Sequence, residues 1–143
     1  GLTVMPGPQL TQAIPFTKEI RQKYPDIKII WGGYFAANQH RVVLNSGWVD
    51  YVISGPGDSA FPELLQAIEE GDLDKIESIP NLIYLKEGKL ISTRKEALPD
   101  MDNLPPFAYG KLDAQYPLQN YLAKTFMGNR TLSYHSSFGC PFT

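Results

Sequence analysis

The chain has 143 residues, 43% of them hydrophobic, enough for one ordinary domain core or a domain with a tail. Thirteen Lys and Arg stand against fifteen Asp and Glu, a formal net charge of −2, so there is no electrostatic footprint for nucleic acid or an anionic membrane surface. No stretch approaches the roughly 18 to 20 apolar residues of a membrane span. A single cysteine excludes an internal disulfide framework, and the cytoplasm is the expected compartment.

In chain order, Gly1-Leu2-Thr3-Val4-Met5 reads as a strand that opens without a turn or cap. Pro6-Gly7-Pro8-Gln9 is a loop. Thr11 is the expected N-cap of a helix over 12–23, with Ala13, Phe16 and Ile20 on its apolar face and Pro15 tolerated in the first turn. Ile27-Lys28-Ile29-Ile30-Trp31 is a β-branched run of the kind found in buried parallel strands, and Gly32-Gly33 follows it directly. Residues 36–45 form a weaker helical segment. Trp48-Val49-Asp50-Tyr51-Val52-Ile53 is a third strand, with Ser54-Gly55-Pro56-Gly57-Asp58 as its loop. Asp58 or Ser59 caps a helix over 60–70, with Phe61, Leu64, Leu65 and Ile68 at core spacing, and Gly71 ends it.

Residues 1–71 therefore alternate β-α-β-α-β-α, with a glycine-containing loop after each strand. This is the grammar of a doubly wound, flavodoxin-like α/β sheet, in which ligands sit at the carboxyl ends of the strands. Residues 81–85 and 89–93 flank Lys86-Glu87-Gly88 as a β-hairpin. Residues 98–109, with Pro99, Pro105 and Pro106, read as a linker, residues 112–122 as a short helical or irregular stretch, and 129–137 as a further strand leading into Cys140.

Glycine lets backbone approach a large flat ligand because it has no Cβ. Gly7, Gly32, Gly33, Gly55 and Gly57 are the candidates for such approach, with Gln9 and Ser54 as hydrogen-bonding partners. Each glycine also has a plain reading as a turn residue. Trp31 and Trp48 read as core aromatics, and His40 as a solvated helix residue. His135 sits five residues before Cys140, where strand packing explains it as well as a functional role.

The succession Val4-Met5-Pro6-Gly7-Pro8-Gln9, Ile30-Trp31-Gly32-Gly33, Asp50-Tyr51-Val52-Ile53-Ser54-Gly55-Pro56-Gly57-Asp58 and Phe61-Pro62-Glu63-Leu64-Leu65 resembles the second half of the cobalamin-binding domain of cobalamin-dependent radical S-adenosylmethionine (SAM) enzymes. The hairpin, Asp100-Met101-Asp102-Asn103-Leu104-Pro105-Pro106 and Ser136-Ser137-Phe138-Gly139-Cys140-Pro141-Phe142-Thr143 continue the likeness in order. The resemblance implies a division into residues 1–78 (cobalamin-binding half-domain), 79–98 (hairpin), 99–128 (linker) and 129–143 (start of the radical SAM barrel). It implies a cobalamin site drawn in part from Gly7, Gln9, Gly32, Gly33, Ser54, Gly55 and Gly57. Cys140 would be the first thiolate of a Cys-x3-Cys-x2-Cys loop holding a [4Fe-4S] cluster and SAM.

Methyl transfer to an unactivated carbon and oxidative cyclisation, as in the Mg-protoporphyrin monomethyl ester cyclases, are both implied activities. On this reading the sequence is an excerpt with no catalytic residue of its own, and these residues alone are expected to bind none of the three cofactors. Two structural expectations follow. The strand at 2–5 should present an open edge through which copies of the chain associate, or be disordered, and the hairpin and the residues from Asn103 onward should be mobile or packed against a neighbour. The competing reading is a non-enzymatic flavodoxin-like or receiver-like module that binds a small molecule or a partner.

Overall fold

The computed structural model describes residues 1–96, 102, 105–106 and 108–131. Two compact units divide the chain, Gly1–Ala97 and Leu98–Thr143. The first is an α/β unit built on one five-stranded sheet in the order β1 (Leu2–Thr3), β2 (Ile30–Gly32), β3 (Tyr51–Ile53), β4 (Leu82–Lys86) and β5 (Lys89–Ser92). The first three strands are parallel, with Leu2 opposite Trp31 and Ile30 opposite Tyr51.

The hairpin is paired within the first unit. β4 pairs antiparallel with β3, placing Val52 opposite Ile83, so the hairpin continues the sheet. Its turn, Glu87-Gly88, has φ of 52° and 74°, the doubly positive pair of a type I′ turn whose twist matches that of the flanking strands. Among the described residues no strand pairs with the outer side of β1, in line with the expected open edge.

Successive side chains on a strand point to opposite faces, and the core divides accordingly. Trp31, Val52 and Ile83 join one cluster with Ala13, Ala36, Val43 and Leu44, which come from α1 (Pro8–Lys23), α2 (Gly33–Asn38) and α3 (His40–Asn45). Ile30, Ile53, Leu82 and Tyr84 join the other with Ala60, Leu64, Ala67 and Ile76 from α4 (Ala60–Glu70) and α5 (Leu73–Ser78). Helices therefore cover both faces, as the alternation of strand and helix requires.

Several elements depart from the sequence expectations. α1 begins at Pro8 rather than after Thr11, because proline's fixed φ and missing N–H suit the first helical position. Thr11 lies inside the helix and donates its hydroxyl to the Pro8 carbonyl at 2.8 Å, and Pro15 lies in the helix interior rather than its first turn. Phe16 is 58% exposed; the buried residue on that face is Thr17, whose Oγ1 accepts a 3.2 Å bond from Trp31 Nε1.

The segment at 36–45 is two short helices broken at Gln39. His40 Nδ1 meets the Ala37 carbonyl at 2.9 Å there, so this ring is part-buried rather than solvated. α4 spans the expected residues and ends on Gly71 at φ 69°, but neither Asp58 nor Ser59 provides its cap: Ser59 occupies the position without a side-chain bond. α5 was not anticipated. It is capped by Asp72, whose Oδ1 accepts from the Lys75 amide at 2.9 Å.

In the second unit α6 (Tyr109–Gln115) and a 3-10 turn (Leu118–Tyr121) occupy the helical stretch, and β6 (Ala123–Thr125) pairs antiparallel with β7 (Gly128–Thr131). Gly128–Thr131 is thus the second arm of a hairpin as far as it is described. His135 and Cys140 lie outside the described residues.

Candidate functional site

Three parallel strands end toward the same edge, and each feeds a loop. A cleft of about 460 Å³ opens there on the α4 face of the sheet. Its walls are Gly1, Leu2 and Thr3 on β1, Gly32 and Gly33 after β2, Gly55 and Gly57 after β3, and Phe61 in the first turn of α4; Ile30 and Ile53 complete it. The lining carries no ionisable side chain; apart from the Thr3 hydroxyl, a ligand that enters is met by apolar side chains and backbone.

Why glycines stand here can be separated position by position. Gly33 has φ 87°, and a Cβ on it would come within 2.9 Å of the Val4 carbonyl oxygen. It is therefore required by the turn from β2 into α2 and by close packing on β1. Gly55 is likewise accounted for by the chain itself, since a Cβ there would lie 3.2 Å from Asn81 Cγ.

Gly32 and Gly57 are different. Neither has positive φ, a Cβ on Gly32 would meet nothing within 4 Å, and one on Gly57 would meet only Phe61 Cβ at 3.9 Å. In residues 2–96 the glycines without positive φ are Gly32 and Gly57, and both line this cleft. The fold does not demand that Gly32 and Gly57 lack side chains, and their absence keeps the cleft open at its mouth.

Four of the seven proposed cobalamin-site residues are therefore brought together: Gly32, Gly33, Gly55 and Gly57. Gly7, Gln9 and Ser54 do not line the cleft. Gly7 is the N-cap of α1, with φ 93°. Gln9 turns its Oε1 back to accept the Met5 amide at 3.2 Å. The Ser54 amide donates to the Asn81 carbonyl at 2.7 Å. Phe61, read from the sequence only as core, is the aromatic side chain of the cleft, and Asn81 was passed over as the start of a strand. The spacing of Gly57 four residues before Phe61, at a strand-to-helix loop, was the available signal for the first. Nothing local marks the second.

Several charged residues of the first unit are paired away from the cleft. Arg21 is bound to Asp50 at 2.5 Å near the starts of the strands, away from the loops. Lys75 pairs with Glu70 at 2.9 Å, and Lys86 pairs with Glu77. Burial pushes the Tyr84 and Tyr51 phenols above their ordinary value. No group of three His, Cys, Asp or Glu able to hold a metal ion occurs among the described residues. No described helix is long and apolar enough to cross a membrane.

No family model matches the chain, and a search of curated proteins finds no match.

Proposed function

We propose that this chain belongs to a cobalamin-dependent radical SAM enzyme and contributes part of the corrinoid pocket, with the cleft at the strand ends receiving the uncharged aromatic base of the cobalamin tail. The observation that carries this reading is the open space before Gly32 and Gly57, two glycines that neither backbone conformation nor the chain's own packing explains. The fit is chemical as well as spatial. The cleft is of ligand-binding size, within the range of about 300–1,000 Å³, and its neutral walls suit an aromatic heterocycle. Leu2, Ile30, Ile53 and Phe61 would exclude water from it, while Gly32 and Gly57 allow backbone to approach the flat ring.

Bound cobalamin would supply methyl transfer or redox chemistry at cobalt. The residues here bind and orient and hold no proton for the reaction. In the same reading Cys140 is one thiolate ligand of a [4Fe-4S] cluster that binds SAM, the setting is cytoplasmic, and copies associate through the outer side of β1.

Against a receiver-like module stands the cleft's chemistry, since no acidic side chain lines it. Titration of the parent enzyme that carries these residues with hydroxocobalamin and, separately, with FMN tests the reading. Cobalamin should bind, FMN should not, and Gly32→Val should weaken cobalamin binding at least tenfold, the scale of about 1.4 kcal/mol of lost contact or new clash. Preference for FMN, or cobalamin binding indifferent to Gly32→Val, overturns it. Anaerobic reconstitution with iron and sulfide tests the cluster: charge-transfer absorbance that persists unchanged in Cys140→Ala removes that part.

A further inference from the structure

The turn from α5 into β4 is made at Asn81, which is 7% exposed and holds φ 60°. That left-handed conformation is costly for most residues and tolerated by asparagine. Several contacts converge on it. Its amide donates to the Arg94 carbonyl at 2.9 Å, and its carbonyl accepts from the Ser54 amide at 2.7 Å. Its side-chain Oδ1 accepts from the Glu96 amide at 3.0 Å. Its Cγ lies 3.2 Å from where a Cβ on Gly55 would stand. On one side, then, Asn81 touches the loop that places Gly55 and Gly57 in the cleft wall. On the other it ties down residues 94–96, the chain leaving β5. Thr93 reinforces this second tie, its Oγ1 accepting from the Leu82 amide at 2.9 Å.

We infer that Asn81 is the positioning residue of the cleft. It fixes the course of residues 54–57 and holds them in one piece with residues 94–96, so that cleft shape and the exit of the hairpin are set together. The inference rests on reading the cleft as a ligand site. Asn81 itself does not line it and touches no ligand.

Amide hydrogen exchange on wild type, Asn81→Gly and Asn81→Asp tests this. Glycine accepts the backbone conformation, so Asn81→Gly removes the side chain without straining the turn. Its Ser54 and Glu96 amides should exchange about five- to tenfold faster, as expected for loss of one partly buried hydrogen bond and its packing. The Val43 and Leu44 amides on the other face should not change. Asn81→Asp keeps the acceptor oxygen and should restore the wild-type pattern. Hydroxocobalamin should bind the Gly variant several-fold more weakly than wild type and the Asp variant comparably to wild type.

Wild-type exchange at Ser54 and Glu96 in Asn81→Gly overturns the inference. So does uniform acceleration that includes Val43 and Leu44, which would mark a merely structural role, and so does an unchanged cobalamin Kd. If wild type takes up no cobalamin but the local exchange pattern appears, the positioning role stands and the cofactor reading falls.

Discussion

Arg21 and Asp50 meet at 2.5 Å at the edge of the sheet opposite the cleft. The guanidinium also donates to the carbonyls of Pro25, Ile27 and Trp48, at 2.7, 2.9 and 3.1 Å, and the same Asp50 oxygen accepts the Ile29 amide at 2.7 Å. One ion pair thus joins the end of α1, the loop into β2 and the approach to β3. Both side chains are only about a quarter exposed or less, so removing one partner leaves the other poorly solvated. Asp50→Ala should cost about 2 kcal/mol of folding stability, measured by urea denaturation. A loss below roughly 0.5 kcal/mol, the range of ordinary surface substitutions, would show that the contact carries little.

Adjacent glycines should behave oppositely. Gly32→Val should leave thermal stability nearly unchanged, since Gly32 has extended backbone (φ −130°, ψ −172°) and no neighbour in the way. Gly33→Val demands a β-branched residue at φ 87° with its Cβ against the Val4 carbonyl, and should cost more than about 2 kcal/mol. Melting curves of the two variants decide it, and similar losses would contradict the assignment of Gly32 to the cleft rather than the fold.

Tyr84 is 7% exposed, and its buried hydroxyl has no hydrogen-bond partner among the described residues. Burial raises the phenol's pKa above its ordinary value of 10.0. The unfolded chain therefore gives up that proton at lower pH than the folded one. Stability from this group is intact below pH 10.0 and is lost as pH rises from there through the folded pKa. Tyr84→Phe should flatten the alkaline fall. At neutral pH it should be neutral or stabilising by up to about 1 kcal/mol, because an unpaired buried hydroxyl is removed. Denaturant titrations at pH 8 and above measure both effects.

Among the described residues no strand lies on the outer side of β1, and nearby Met5 is 44% exposed. Concentration-dependent association is the expected outcome in sedimentation experiments, and Thr3→Lys should suppress it by placing a charge on the edge. A monomer at all concentrations, with fast-exchanging amides on that edge, counts against it.

What could be read from the chain beforehand follows the range of the forces involved. α4 is legible because Leu64, Ile68 and the Gly71 stop are local signals, although Leu65, expected at a core position, is 45% exposed. The turn at Glu87-Gly88 was legible for the same reason. The start of α1 is ambiguous in sequence because Thr11 is a good N-cap residue and Pro8 a good first helical residue, and the structure uses Pro8. α5 escaped notice because it has six residues and buries only Ile76. Of the cleft, Gly32, Gly33, Gly55 and Gly57 were placed by strand-to-helix grammar alone. Gln9 and Ser54 were assigned outward roles, yet the Gln9 side chain and the Ser54 amide satisfy backbone partners. Asn81 acts through residues 27 positions before it and 15 after it, and only tertiary structure brings those together.

β1 is two residues long and is held from one side only, yet it supplies one flank of the cleft. Such a strand frays at little cost. Whatever seats itself against Gly1, Leu2 and Thr3 would act as a clasp on this loose end, trading some of its affinity for order in the protein. Thermal-shift screening should therefore register weak occupants of the cleft out of proportion to their strength.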